Sequence, residues 1–232
     1  QGWQTWQFTT LQGGFVPADE IKRAKRTMDP VLFRQEFEAS FETTGNRAAY
    51  NFDRGIHVKQ AKELSKTLWW GVDFNVDYMT AVLACQYSDT TIHYFDEIRL
   101  KNSNTEELAI QMKATAPDIE CYPDPAGSAR STTSRRSDHQ ILRDHGFIIR
   151  AKKSHPSHID RLNALNRKLL DAEGKMGMTI DPNCLFLIKD LEQCQRDKRG
   201  GLDKNDMDLT HALDACSYAI SYKFPVLKRI GT

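Results

Sequence analysis

The sequence predicts an α/β fold with a mixed central sheet. Three β-type runs follow one another in the first half of the chain, and helical and short strand-like patterns then alternate up to a final helix. The three runs span residues 69–76, 79–86 and 91–100, and only short polar turns separate them. Such close spacing is typical of an antiparallel meander. The later alternation indicates that helices flank the sheet.

The remaining elements follow from capping residues and apolar spacing. A helix is capped at Thr105, and another helix stops at Gly146. The predicted helices are 105–116, 137–145, 158–172, 183–194 and 207–222, and the predicted strands between them are 119–122, 147–150 and 178–180.

Residues 1–60 differ from the rest because they contain no strand pattern. Acids at residues 19–20 mark the first turn of one helix, and Asp29-Pro30 opens a second helix whose phenylalanines recur every four residues. We expect a helical linker or docking arm over residues 1–60 and the main domain over residues 61–232. The start at Gln1, without a methionine, suggests a processed end or a fragment of a longer protein.

The composition is that of an ordinary globular chain, with 40% hydrophobic residues, 27% charged residues and a formal net charge of +1. No apolar run approaches the ~20 residues of a membrane helix, so we expect no membrane partner. The five cysteines are scattered and form no C-x-x-C pair, which favours a reducing cytoplasm over a disulfide framework. The sequence also lacks the glycine-rich loop of a Walker-type ATP site.

Charge is unevenly distributed along the chain despite the small net value. Between Ala129 and Leu169 only three aspartates oppose a run of basic residues. The basic residues are Arg130, Arg135, Arg136, Arg143, Arg150, Lys152, Lys153, Arg161, Arg167 and Lys168. This asymmetry indicates a phosphate-binding surface, although a set of solvated helix faces would explain it equally well.

Three aspartates have positions that suggest a metal site. Asp73 interrupts the apolar run LWWGVDFN, where a buried carboxylate needs an arginine, a lysine or a metal ion to offset its desolvation. Asp124 lies between two prolines just after the 119–122 strand. Asp214 lies on the final helix, about 140° around the helix from Leu209. We therefore expect the apolar stripe of that helix to pack on the sheet while Asp214 borders a cleft.

Taken singly, Asp124 is typical of a turn former and Asp214 of a solvated helix face, so only Asp73 favours function. Together the three carboxylates favour hard divalent cations, which prefer oxygen ligands. They suffice for two ions that activate water for in-line phosphodiester cleavage. Weaker auxiliary candidates are a histidine, two aspartates expected to face solvent, and two lysines that could neutralise or contact a phosphate. These are His211, Asp77, Asp208, Lys152 and Lys153.

The sequence resembles the C-terminal nuclease domain of the large terminase subunit of tailed phages. The resemblance rests on WWGVDFN with Asp73, on YPDPAG with Asp124 and on HALDACSYA with Asp214. The stretch FRQEFEASF at 33–41 is also similar to the linker that follows the family's ATPase domain, so the resemblance covers nearly the whole chain. It implies a ribonuclease H-like fold, in which three antiparallel strands precede shorter parallel strands.

The resemblance also implies a function and a set of partners. Asp73, Asp124 and Asp214 would be the catalytic ligands of two Mg²⁺ or Mn²⁺ ions, and the enzyme would cut double-stranded viral DNA with little sequence preference during headful packaging. The ATPase domain, the small terminase subunit and the portal would be partners, in the host cytoplasm and outside the mature virion. The expected DNA-contacting residues are Arg130, Arg135, Arg136, Arg150, Lys152, Lys153 and Arg161.

Two alternatives stay open at the level of sequence. A transposase, integrase or junction resolvase also uses an acidic cluster on this fold, although such enzymes usually carry a separate DNA-binding module that is not evident here. The other alternative is a non-catalytic docking module for a portal or capsid partner. The aromatic residues of the arm could serve docking under any of these functions, namely Trp3, Trp6 and Phe8.

Overall fold

A six-stranded mixed sheet forms the centre of the protein. The structure is a computed structural model that describes residues 6, 8–40, 45–61, 63–75, 77–129 and 136–226. The strands are β1 (Leu68–Asp73), β2 (Tyr78–Gln86), β3 (Ile92–Lys101), β4 (Glu120–Pro123), β5 (Ile148–Ile149) and β6 (Met178–Ile180). Their order across the sheet is β5-β4-β1-β2-β3-β6.

The pairing of the strands confirms the predicted mixed sheet. β1, β2 and β3 form an antiparallel meander. The shorter strands β4, β5 and β6 then join by parallel pairing, β4 to β1, β5 to β4 and β6 to β3. β1, β4 and β5 therefore run in the same direction, and the residues that follow them meet at one edge of the sheet.

Helices cover both faces of the sheet. They are α1 (Thr10–Gly13), α2 (Ala18–Thr27), α3 (Pro30–Phe37), α4 (Arg54–His57), α5 (Thr105–Thr115), α6 (Asp138–Asp144), α7 (His158–Leu169), α8 (Leu185–Gln193) and α9 (His211–Lys223), with a 3₁₀ turn at Pro125–Ser128. Neighbouring residues of β1 point to opposite faces. Trp69 accordingly joins the core under α7, α8 and α9, whereas Trp70 joins the core under α5 and α6.

The last helix is buried on all sides rather than along one stripe. α9 begins at His211, four residues later than predicted, and nearly all of its residues are buried. It crosses β1 so closely that a Cβ on Gly71 would lie 2.4 Å from the carbonyl oxygen of Ala215. Asp214 is fully buried, so the expectation that it borders an open cleft is wrong.

The first strand also differs from its prediction at one end. β1 stops at Asp73 rather than at Val76, so this aspartate ends the strand instead of occupying its centre. The alternation of the strand places Asp73 on the same face as Trp69 and Gly71, which is the face that α9 covers.

The arm consists of helices in its first part and is joined to the domain body in its second part. The N–H of Ala48 donates to the carbonyl of Cys194, and the N–H of Lys59 donates to that of Ile180. Phe52 lies in the core beneath α7 to α9. Contacts with the body therefore begin before residue 60, and the division at that residue stays a prediction. Among the described residues no helix has both the length and the apolar character of a membrane span.

We expect Gly71→Ala to destabilise the protein because the added Cβ would push α9 away from β1. The free energy of unfolding should fall by about 1–3 kcal/mol, as is usual when a packed core is overfilled. Urea unfolding measures this change. Gly13→Ala is the control, since its Cβ would meet only the Phe15 ring at 3.8 Å. Equal stability of the two variants would contradict the close approach of α9.

Candidate active site

The three aspartates singled out in the sequence lie close together at the carboxyl edge of the sheet. Val72 of β1 pairs with Pro123 of β4, and the N–H of Asp124 donates to the carbonyl of Val72 at 2.9 Å. Asp73 and Asp124 are therefore the next residues on two adjacent strands. α9 brings Asp214 near enough that its charge acts on the carboxyl of Asp73. All three side chains are buried or nearly so.

Asp73 is an acid whose ionisation is opposed by its surroundings. Burial raises its pKa to about 6, and the negative charge of Asp214 adds to this effect. The hydrogen bond from His211 acts in the opposite direction without cancelling the shift. A carboxylate at this position therefore gains from any further positive charge.

His211 and Asp73 share a proton. The Nδ1 atom of His211 lies 3.1 Å from Oδ2 of Asp73, and its Nε2 atom lies 3.0 Å from the carbonyl oxygen of Met207. A carbonyl only accepts, so Nε2 carries a hydrogen, and the contact with Asp73 then needs a proton on one partner. Burial opposes the charging of His211, yet the hydrogen bond and charge of Asp73, together with the Met207 carbonyl and the charge of Asp190, outweigh it and raise the pKa of the imidazole.

Asp214 is held between two cations. Its Oδ1 atom accepts from Nη1 of Arg161, and its Oδ2 atom accepts from Nζ of Lys204, both at 2.7 Å. Burial acts to raise the pKa of Asp214, but the charges of Arg161 and Lys204 hold it below its usual value. Lys204 comes from the loop before α9 and half of its side chain is exposed, so the sequence pattern did not reveal it. Its only signal is its place in a polar loop that precedes HALDACSYA.

Asp124 combines the role of a turn former with its position at the sheet edge. Its Oδ1 atom accepts from the N–H of Ala126 at 2.9 Å and lies 3.3 Å from Nε2 of His155. The prolines on either side hold the backbone at this turn. His155, in the loop after β5, is a second neighbour of the acids that sequence reasoning missed.

The donor set suits a hard divalent cation, although the side chains as placed do not enclose one. Three carboxylates offer only oxygen ligands, and the ammonium of Lys204 already occupies a cation position beside Asp214. Among the residues that the structure describes, no group of three acidic, histidine or cysteine side chains is close enough to hold an ion. Both oxygens of Asp214 are already bonded to cations, Arg161 and Lys204. Withdrawal of Lys204 is the smallest change that frees one of them.

A further buried aspartate, Asp190, fixes the start of α9. Oδ2 of Asp190, in α8, accepts from the N–H groups of Ala212 and Leu213 at 2.9 and 3.1 Å. It thereby replaces the N-cap side chain that Thr210 does not supply. Burial raises the pKa of Asp190 to about 6, against the opposing effect of these two backbone donors. Asp190 thus sets the positions of the first turn and of His211.

Arg161 was predicted to contact DNA, and the structure places it elsewhere. Its side chain is buried, donates to Asp214 and Ser217, and stacks on Tyr218 with the guanidinium carbon 4.2 Å from the ring centroid. Helical spacing explains the error, because position 161 lies on the same buried side of α7 as Leu162 and Leu165. The residue belongs to the acidic site.

The other predicted basic residues lie on the surface to different degrees. Arg136 pairs with Glu106 and Asp144. Arg150 pairs with Glu120, at 2.9 Å. These pairs reduce the local positive charge. Part of the excess of basic residues between positions 129 and 169 is therefore neutralised by ordinary surface ion pairs.

The lysines after β5 lie at the same edge as the acids. Lys152 donates to the carbonyl of Ser221 at 2.9 Å, whereas Lys153 is exposed. Arg130 and Arg135 lie outside the described residues.

The two auxiliary aspartates, Asp77 and Asp208, are more exposed to solvent than the three clustered acids. Asp77 is partly exposed in the turn between β1 and β2, where its carbonyl accepts from the N–H of Asn102. Asp208 is exposed and lies 3.6 Å from Arg99. Both positions agree with the expectation that these two aspartates face solvent.

We expect Asp73→Asn to stabilise the metal-free protein above neutral pH. The pKa of Asp73 is about 6 in the folded protein and about 3.9 in an unfolded chain. The folded state therefore binds more protons between these values, and the free energy of unfolding falls as the pH rises from about 4 to about 6. Asparagine removes that penalty, so the free energy of unfolding at pH 8 in EDTA should rise by about 1–3 kcal/mol.

The control for this prediction is Glu63→Gln, an exposed change of the same charge. Urea unfolding of both variants is compared with the wild type from pH 5 to pH 8. A loss of stability in Asp73→Asn at pH 8 would show that the carboxylate is stabilised by its present neighbours.

Comparison with solved structures identifies the fold. The large terminase of a thermophilic bacteriophage superposes with a TM-score of 0.67 at 16% identity, over 92% of this chain and 53% of that chain. The nuclease domain of the P22 large terminase superposes with a TM-score of 0.58 at 16% identity, over 81% of this chain and 98% of that domain.

No protein-family model matches the sequence, and no curated protein matches it. The chain spans about half the length of the thermophilic phage terminase and nearly the whole of the P22 nuclease domain. The protein therefore has the ribonuclease H-like fold of the nuclease domain of phage large terminases.

Proposed function

We propose that this protein is a divalent-metal-dependent endonuclease that cuts double-stranded viral DNA with little sequence specificity during genome packaging. One observation carries the proposal. Asp73, Asp124 and Asp214 are far apart in the sequence, and the fold brings them to one buried edge of a nuclease-type sheet beside the cation of Lys204.

The acids are the proposed ligands of two Mg²⁺ or Mn²⁺ ions. Such ions, when bound, activate water and stabilise the leaving oxygen of a phosphodiester. Asp73 and Asp124 contribute from neighbouring strand ends. Asp214 contributes through Oδ2 once Lys204 withdraws, while Arg161 keeps Oδ1 and holds the carboxylate in place.

The surrounding residues orient the acids and hold a proton. His211 fixes Oδ2 of Asp73, and Asp190 fixes the turn of α9 that carries His211. Deprotonation of the shared site would let Asp73 bind a cation in its ionised form. The raised pKa values of both groups mean that this deprotonation would need a higher pH than for an exposed aspartate or histidine.

DNA would approach along the edge where β5 ends. Lys152, Lys153 and His155 follow that strand and lie on the side of Asp124. Cations placed there would neutralise phosphates without reading bases, which suits cleavage with little sequence preference. The ATPase domain, small terminase subunit and portal are proposed partners, and the host cytoplasm outside the mature virion is the proposed location.

Two other functions have less support. A junction resolvase or transposase would use the same acids, and the products of cleavage would distinguish it. A docking module is favoured by the arm, where Trp6, Phe8 and Phe15 are exposed, the last by 96%. Phe41 and Trp3 lie outside the described residues. The burial and mutual charge effects of the acids have no purpose in a docking module, so we place the nuclease first.

We expect plasmid cleavage in Mg²⁺ or Mn²⁺ and none in EDTA. Asp73→Asn, Asp124→Asn and Asp214→Asn should each lower the rate by at least about 100-fold, because each removes a carboxylate that would hold the metal ions needed to activate water and stabilise the leaving oxygen. Gel analysis of supercoiled, nicked and linear DNA measures the rate. Glu192→Gln is the matched control, since this residue pairs with Arg54 away from the acids.

Wild-type cleavage in EDTA, or equal rates in the three acid variants and the control, would contradict the proposal. Specific cutting of four-way junctions, with intact plasmid, would favour the resolvase instead.

We expect the affinity for duplex DNA to fall steeply with salt, because phosphate contacts release counterions. Lys153→Gln should weaken binding and reduce the slope of log affinity against log salt by about 1. Fluorescence anisotropy in EDTA measures both. Lys113→Gln, on the exposed side of α5, should leave the slope unchanged. A slope that is the same in both variants would exclude Lys153 from the DNA surface.

A further inference from the structure

A second basic site lies at the end of the sheet opposite the acids. A cavity of about 290 Å³ opens between the last turn of α2, the last turn of α7, the turn that joins β2 to β3, and the 171–177 loop. β2 runs from the edge near Asp73 to this turn. The strand length therefore separates the cavity from the acids by more than about 20 Å.

The inner wall of the cavity carries two basic side chains that are bonded only to carbonyl groups or rings. Nζ of Lys168 donates to the carbonyl of Thr90 at 2.8 Å and lies 3.4 Å from the centroid of the Phe224 ring. Arg167 donates to the carbonyls of Thr27 and Phe224, at 3.2 and 2.6 Å. Burial lowers the pKa of both groups, and for Lys168 it falls to about 7 with further lowering by Arg167 and Lys175.

Two more basic side chains form the rim. Arg26 and Lys175 line the opening and are exposed. Within the described part of the chain, none of the four basic residues forms an ion pair with a carboxylate. The cavity thus brings together four basic side chains that form no ion pair with any described residue, and the charge of Asp171 acts on one of them, Arg167.

The acidic residues that line the cavity are either hydrogen-bonded within their own loop or exposed to solvent. Oδ1 of Asp171 accepts from the N–H groups of Glu173 and Lys175 within its own loop. Asp89 and Glu173 line the mouth and are exposed. The four basic residues outnumber these three acids by one. The inner wall carries the charge of Arg167 and, beside it, Lys168, which burial leaves only partly protonated at neutral pH.

Gly177 lets two backbone segments approach closely at the base of the cavity. A Cβ on Gly177 would lie 2.7 Å from the carbonyl oxygen of Thr90 and 3.1 Å from that of Lys168. Glycine therefore allows the 171–177 loop to pack against the turn that positions Nζ of Lys168.

We propose that this cavity, formed where the arm meets the nuclease body, binds a phosphate group. Arginine forks and lysine ammonium groups together match a multiply charged anion with several acceptor oxygens better than they match a single carboxylate. The group belongs to a small phosphate compound or to the backbone of DNA that extends past the cutting site. This inference does not depend on nuclease activity.

Isothermal titration of the 232-residue chain with inorganic phosphate, in EDTA at constant ionic strength, tests the proposal. We expect saturable binding, which acetate does not reproduce. Lys175→Gln and Lys168→Met should each weaken it by about tenfold, the usual effect of losing one charge-assisted hydrogen bond. Lys113→Gln, which removes the same charge elsewhere on the surface, should leave it unchanged.

Lys175→Gln keeps the result decisive if Lys168→Met fails to fold, since the hydrogen bonds of residue 175 within its loop involve only its backbone. No saturable binding, equal binding of acetate, or full affinity in Lys175→Gln would overturn the proposal.

A short DNA duplex added in a competition experiment assigns the source of the phosphate. Displacement of phosphate by the duplex, together with weaker duplex binding in Lys175→Gln than in Lys113→Gln, would assign the site to DNA. Phosphate binding that the duplex does not disturb would uphold the site for a small phosphate compound.

Discussion

The burial of three carboxylates at one edge of the sheet is the constraint on which the rest of this site depends. Like charges placed close together and away from water cannot all be ionised unless cations accompany them. The chain meets this requirement separately for each acid. Asp214 has Arg161 and Lys204, Asp73 shares a proton with His211, and Asp124 uses local donors. Asp73 is the least neutralised, which makes it the group with most to gain from a metal ion.

The packing of α9 on β1 turns this constraint into a site. Gly71 lets the helix lie against the strand, and Asp190 fixes the first turn of the helix by accepting from its backbone. The helix consequently places His211 and Asp214 one turn apart above the end of β1. Because the site is built from a strand end and a buried helix, its carboxylates are held in place. Ionised Asp73 destabilises the fold when no metal ion is bound.

The sequence predicts most of the fold because its patterns are local. Capping residues and apolar periods determine where helices and strands begin, and β2, β3 and α5 lie within one or two residues of their predicted positions. Only Asp73, in LWWGVDFN, stood out by itself, and the convergence of the three acids was predicted from their joint placement and from the family resemblance. The contacts of Lys204 and His155 with the acids, and the burial of Arg161, were not predictable. They depend on which loops and which helix lie beside the acids in the folded chain. The basic segment was a poor guide to the DNA-contacting surface for a similar reason. Burial and acidic partners such as Glu120 determine whether a basic side chain is free to contact a phosphate.

In our proposal, Asp73, Asp124 and Asp214 together bind divalent cations. A crystal of this protein soaked in Mn²⁺, with data collected for the anomalous signal of manganese, tests it most directly. We predict anomalous peaks at ligand distance from Asp73 and Asp124, with Lys204 moved away from Asp214. Absence of any peak at these acids at saturating Mn²⁺, with Lys204 still bonded to Asp214, would contradict the claim.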